Sequence, residues 1–150
     1  MKQIIARTTL VLCALTGFGT VAGEPPASSS VLATGAKADS VSDDTAAIQQ
    51  SLDGAAKNGG RVQLQPGRYL VKGSLHIPPG VTLQGVMDSP VWSAPLKGSV
   101  ILATGGRSQE DGPALFEMGH SSAVRGLTVW YPQQQITNIT PYSWTFHLQG

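Results

Sequence analysis

The pattern of apolar and polar residues changes its period near Gly60. Before that point the period is helical, and one apolar stripe on a 3.6-residue helix is formed by Ile48, Leu52, Ala55 and Ala56. Asp43 and Asp44 precede the stripe, where a carboxylate can accept hydrogen bonds from the free N–H groups of a first turn. We therefore predict a helix over 45–57 with Asp43 and Asp44 as capping residues, in preference to a metal-binding or catalytic role.

After Gly60 the period is two, which indicates short strands. Val62 and Leu64 alternate with polar neighbours, and further short extended runs follow at 69–71, 75–77 and 81–84. Proline–glycine turns separate these runs. Strands so close together leave no room for the crossover helices of a parallel α/β sheet.

Apolar strand starts recur along the rest of the chain. They fall at Val62, Val81, Val100, Val124 and Phe146. Successive starts are about 20 residues apart, a spacing typical of solenoids in which one repeat forms one turn, and no helical pattern lies between them. The spacing predicts an all-β solenoid whose turns stack ladders of Val, Leu and Ile, with the helix covering its N-terminal end.

Two segments resemble a known family. GAKADSVSDDTAAIQQSLD, from Gly35, and GGRVQLQPGRYLVKGSLHIPPGVTLQG, ending at Gly85, are similar to the N-terminal signature of the pectate-lyase superfamily, and within it to the rhamnogalacturonase/epimerase-type domain. Thr34 and Ser40 stand where that group typically carries an aromatic residue and a glycine. The resemblance implies a right-handed parallel β-helix with an N-terminal capping helix, in a secreted protein that degrades polysaccharides.

Residues 1–22 have the composition of a secretory signal peptide. Lys2 and Arg7 precede an apolar run over 8–18 that is too short for a membrane span, and small residues end at Ala22. A proline- and serine-rich linker is expected over 23–33, followed by the domain at 34–150. We therefore expect a secreted or periplasmic protein with no membrane anchor after cleavage.

The amino-acid composition restricts the kinds of molecule that the chain is expected to bind. Without residues 1–22 the chain has 8 basic and 9 acidic residues and no cysteine, since Lys2, Arg7 and Cys13 are lost. A near-neutral chain argues against nucleic-acid binding, and the absence of cysteine excludes disulfides and thiolate metal sites. No cofactor is expected, and the carboxylates and histidines show no metal-ligand spacing.

The segments between strands contain the candidate binding residues. Trp92, Trp130 and Tyr131 are candidates for stacking on sugar rings, and the alternative is that they pack loops onto the scaffold. No catalytic residue is assigned, because Glu110 and Asp111 are adjacent, Asp88 and Glu117 are isolated, and the histidines are dispersed.

The sequence leaves two functions open. One is the N-terminal part of a secreted hydrolase or lyase acting on pectin-like or other uronic-acid polysaccharides, with catalytic turns beyond residue 150. The other is a non-catalytic β-helix for glycan binding or surface attachment. The strand pattern at 144–148 suggests that the β-helix is incomplete at its C-terminus, so the isolated chain is expected to be inactive.

Overall fold

The structure, a computed structural model, describes residues 28–57, 60–88 and 95–149. These residues contain one α-helix, α1 (Thr45–Ala56), and one short 3-10 helix (Val31–Thr34). The strands are β1 (Ser28–Ser30), β2 (Asp39–Asp43), β3 (Arg61–Gln63), β4 (Gly67–Val71), β5 (Leu75–Ile77), β6 (Thr82–Gln84), β7 (Ser99–Ala103), β8 (Phe116–Met118), β9 (Ala123–Arg125), β10 (Thr128–Trp130) and β11 (Phe146–Leu148).

The strands form three sheets in which every pair is parallel. Sheet A has the order β1-β3-β6-β9, sheet B the order β10-β7-β4-β2, and sheet C the order β11-β8-β5. From β3 onward the chain visits A, B and C in turn, so β3–β5, β6–β8 and β9–β11 form three successive rungs. The predicted mostly-β architecture with one helix is confirmed, and the parallel sheets are consistent with a parallel β-helix-like fold.

The predicted repeat is wrong at two of its five starts. Val100 lies in β7 of sheet B, in the same rung as Val81 and β6, and Phe146 lies in β11 of sheet C, in the same rung as Val124, so both intervals fall within a rung. The rungs begin at residues 61, 82 and 123, because the long connections 85–98 and 104–115 both lie in the second rung. Each rung has three strands, and insertions in the connections hide the true period.

The core consists of inward side chains stacked in register between rungs. The ladders are Val62–Leu83–Val124 in sheet A, Tyr69–Ile101–Val129 in sheet B and Leu75–Phe116–Phe146 in sheet C. The members from the first two rungs are fully buried, whereas Phe146 is 49% exposed. The Phe116 and Phe146 rings stack with their centroids 5.2 Å apart. Burial of these apolar side chains is the main stabilising contribution.

Helix α1 packs against β1, β3 and β5 through the fully buried Ile48 and Leu52. Asp43 accepts a hydrogen bond from the Thr45 backbone N–H at 3.1 Å. Asp44 occupies the N-cap position, but its side chain makes no cap hydrogen bond and instead accepts from residues that precede the helix. No helix in the described part of the chain is long and apolar enough to cross a membrane.

The N-terminal segment differs from the expected linker. Residues 28–30 pair with β3, and residues 31–34 form the 3-10 helix, so these residues belong to the folded domain rather than to a linker ending at residue 33. Val31 is fully buried, which explains why this segment is held in place. The predicted signal peptide at 1–22 and the first part of the predicted linker lie outside the described residues.

Candidate functional site

Two long loops leave sheet B at the same corner of neighbouring rungs. Loop 104–115 connects β7 to β8, and loop 131–145 connects β10 to β11. Backbone hydrogen bonds join them, from Ser108 N–H to the Pro141 carbonyl at 2.8 Å and from Leu115 N–H to the Trp144 carbonyl at 2.9 Å. The two loops therefore form one surface on a parallel-sheet scaffold, which we call the loop face.

The first cleft of the loop face lies beside Trp130, whose side chain is 51% exposed. It has a volume of about 400 Å³ and is lined by Val129, Trp130, Tyr131, Gln134, Gln135, Ile136 and Ile139. Gln134 braces the loop, because its side chain donates to the Thr140 carbonyl at 3.0 Å and accepts from the Thr140 N–H at 3.2 Å. The cleft is apolar with two amide side chains at its border, a combination found in small-molecule sites.

A second cleft, of about 350 Å³, is lined by Glu110, Tyr142, Ser143, Trp144 and Thr145. Trp144 is 73% exposed. The sequence did not identify Trp144 as a candidate, because its exposure depends on the path of loop 131–145. That path cannot be predicted from a periodic pattern of apolar residues.

Tyr131 separates the two clefts. Its hydroxyl is 2.8 Å from the Thr145 hydroxyl, and its ring meets the Tyr142 ring edge to face with centroids 4.7 Å apart. Tyr131 is half-buried, so it is a wall of the first cleft and a packing residue at the same time. The buried Tyr142 hydroxyl makes no hydrogen bond to any described residue.

The three aromatic candidates thus have different positions. Trp130 is exposed on the loop face, Tyr131 is packed beneath it, and Trp92 lies outside the described residues. A sugar-stacking role for these residues stays a prediction.

The expectation that Glu117 is isolated is wrong. His76, Glu117 and His147 stand in register on β5, β8 and β11, and Glu117 Oε2 lies 2.6 Å from His147 Nδ1. The second carboxylate oxygen accepts from the Ala114 N–H at 2.9 Å. The bond from His147 holds the pKa of Glu117 below its usual value against the opposing effect of burial.

This pair was missed because its members lie far apart in the chain, on strands that belong to different rungs. Among the described residues, no group of three or more His, Asp, Glu or Cys side chains is arranged to hold a metal ion. Glu110 and Asp111 are both exposed on loop 104–115.

Comparison with known proteins gives the family. The family model described as rhamnogalacturonase A/epimerase, pectate lyase-like, matches residues 28–105, more than half of the chain. The chain belongs to this family. The resemblance inferred from residues 35–85 is therefore confirmed, and the match extends it to β1 on one side and through β7 on the other.

Two solved structures are similar to this member of the family. ORF18 of Geobacillus virus E2 is 24% identical with a TM-score of 0.54, over 68% of this chain and 20% of that one, and shares its fold. The A-module of the mannuronan C-5 epimerase AlgE6 of Azotobacter vinelandii is 24% identical over 80% of this chain and 40% of that one, with a TM-score of 0.44. The chain thus spans less than half the length of either protein. No curated protein matches it.

Proposed function

We propose that this chain is part of a secreted or periplasmic carbohydrate-active protein that acts on pectin-like or other uronic-acid polysaccharides. Family membership carries the proposal, because the family is described as rhamnogalacturonase A/epimerase, pectate lyase-like, and the first and last of these names refer to enzymes of pectin-like polysaccharides. The rungs are proposed to wind as a right-handed β-helix with α1 as the cap of its N-terminal end. Export would use residues 1–22 as a cleaved signal.

The loop face is proposed to contact the polysaccharide. Trp130 offers an exposed indole face to a sugar ring, and Gln134 and Gln135 border the same cleft with groups that can hydrogen-bond to hydroxyls. Hydrolysis at a glycosidic bond needs two carboxyl groups about 5–10 Å apart on either side of it. Glu110 and Asp111 are neighbours on one loop, so we place the catalytic groups on parts of the protein other than the described rungs.

The alternative is a non-catalytic β-helix for glycan binding or surface attachment. The exposed Trp130 and its open cleft favour this function as much as they favour an enzyme, because both require a rigid surface that contacts sugars.

Binding tests what the two proposals share, and turnover by the purified chain would contradict the placement of the catalytic groups outside the described rungs. The purified chain is expected to bind polygalacturonate or rhamnogalacturonan in affinity electrophoresis, and Trp130→Ala should weaken binding about 5- to 30-fold through loss of about 1–2 kcal/mol. Leu32→Ala, at an exposed apolar residue near the N-terminal end, is the matched control and should bind normally. Release of reducing ends would indicate hydrolysis, and release of unsaturated products would indicate elimination. If no uronic-acid polysaccharide is bound or cleaved, the proposed function is wrong.

A further inference from the structure

We propose that the cleft between Glu110 and Trp144 is a binding site for one neutral sugar unit of a polysaccharide. The inference rests on the proposed function in taking the ligand to be a saccharide. It adds a second contact point to the loop face, separated from the Trp130 cleft by Tyr131 and selective for uncharged units.

Trp144 is held so that its side chain stays in water. Its backbone carbonyl accepts from Leu115 N–H at 2.9 Å, and the next carbonyl, that of Thr145, accepts from Phe116 N–H at 2.9 Å. These bonds connect Trp144 to the start of the buried strand β8, yet 73% of the residue remains exposed. A large aromatic side chain on a fixed backbone loses little conformational entropy on binding, so it is suited to stack on the apolar face of a sugar ring.

The other lining residues supply polar groups around this aromatic face. Ser143 and Thr145 have hydroxyls, and Glu110 has a carboxylate that can accept hydrogen bonds from sugar hydroxyls. The Thr145 hydroxyl is already bonded to Tyr131, which fixes that wall of the cleft. One apolar face with acceptors at its border matches a pyranose ring, whose C–H groups and hydroxyls occupy different sides.

The charges of the residues that line the cleft determine which kind of sugar it should bind. Glu110 is the one carboxylate among the lining residues, and none of the lysines, arginines and histidines that the structure describes lines the cleft. Arg107, on the same loop, donates to the Thr140 hydroxyl at 3.3 Å instead. A uronate carboxylate about 5 Å from Glu110 would be repelled in water strongly enough to weaken binding about fourfold, whereas a neutral unit is not repelled. The cleft is therefore complementary to the neutral units of a mixed or neutral polysaccharide.

The site is tested by calorimetric titration of the full chain at low salt. The neutral probes are galactotetraose, cellotetraose and maltotetraose, each up to about 10 mM, and their affinities are compared with that of tetragalacturonate. At least one neutral probe should bind, and in a Trp130→Ala background, which removes the contact proposed for uronic-acid polysaccharides, tetragalacturonate should bind about fourfold more weakly than that probe. Trp144→Ala should weaken neutral binding about tenfold or more. Glu110→Gln should reduce the preference for the neutral probe, whereas Asp111→Asn, an exposed carboxylate on the same loop that does not line the cleft, should leave the preference unchanged.

Circular dichroism melts of each variant show whether it is folded. Trp144→Phe keeps a smaller aromatic face and should therefore retain part of the affinity for the neutral probe. The inference is wrong if no neutral probe binds, if folded Trp144→Ala binds as the parent does, or if sedimentation shows that Trp144 mediates self-association instead. Polygalacturonate binding that persists without neutral-probe binding would overturn this site alone. Neutral-probe binding through Trp144 without any uronic-acid polysaccharide binding would overturn the proposed function and leave the site standing.

Discussion

Asp44 provides the sharpest test of how the N-terminal segment is held. Its carboxylate is 2% exposed and accepts from Lys37 N–H at 2.8 Å and from Ala38 N–H at 3.1 Å. Ala38 has a φ of 53°, in the left-handed region, so this turn needs external support. Asp44→Asn keeps the shape of the side chain, but its amide nitrogen faces one of the two N–H donors. We expect the variant to lose one charge-assisted bond and to leave one partly buried donor unpaired.

The magnitude follows from these two effects. A hydrogen bond to a charged acceptor contributes about 1.5–3 kcal/mol, and an unpaired buried donor costs about 1–3 kcal/mol. The effects overlap, so Asp44→Asn should lower the free energy of unfolding by about 2–4 kcal/mol. With a slope of about 2 kcal/mol per molar urea, the midpoint should fall by about 1–2 M.

Urea titrations followed by circular dichroism measure this shift, with Asp43→Asn as the matched control. The exposed Asp43 accepts from Thr45, through its N–H at 3.1 Å and its hydroxyl at 2.5 Å, so its replacement should cost about 0.5–1 kcal/mol. The reasoning fails if Asp44→Asn unfolds within about 0.5 kcal/mol of the parent, or if Asp43→Asn is the more damaging change.

Three further variants probe other contacts. Ser99→Ala should lower the free energy of unfolding by about 2–3 kcal/mol in urea titration, because the buried hydroxyl donates to the Leu64 carbonyl and accepts from Val86 N–H, both at 2.9 Å; no loss would contradict this. Tyr142→Phe should raise the melting temperature, since it removes an unpaired buried hydroxyl; a lower value would show that the hydroxyl is bonded. Glu117→Gln should flatten the pH dependence of stability below pH 4.5. Because the pKa of Glu117 is lower in the folded state, its carboxylate stabilises the fold at pH values above 4.5, the pKa of the unfolded state. This contribution, under about 1 kcal/mol, is lost as the pH falls through the folded-state pKa. An unchanged pH profile would contradict the assignment.

The sequence predicted those features that depend on local pattern. The stripe through Ile48 and Leu52 identified α1, and the period of two around Val62 identified β3, because burial of one face imposes a period on the residues themselves. The family signature lies in the same segment, which explains why its recognition required neither of the long loops.

Contacts between distant residues were not predictable in this way. Glu117 and His147 are far apart in the chain and meet because β8 and β11 pair in register, while Asp44 turned away from the helix to support the preceding turn. The turn starts predicted at Val100 and Phe146 were also wrong, since connections 85–98 and 131–145 add residues without adding a strand. Each of these features depends on which strands pair, and strand pairing is not visible in a single local period.

The fold itself explains why binding specificity should lie in the loops. A rung requires only three short strands with inward apolar residues, so the connections between them are free to change length. They do so here: the short segment 126–127 joins β9 to β10, whereas the long segment 131–145 joins β10 to β11. Both aromatic clefts are formed by residues in or beside such a long connection, outside the match at 28–105. The proposed sugar selectivity is therefore best tested by varying Trp130, Glu110 and Trp144, whereas changes in the ladder residues should alter stability and leave any selectivity intact.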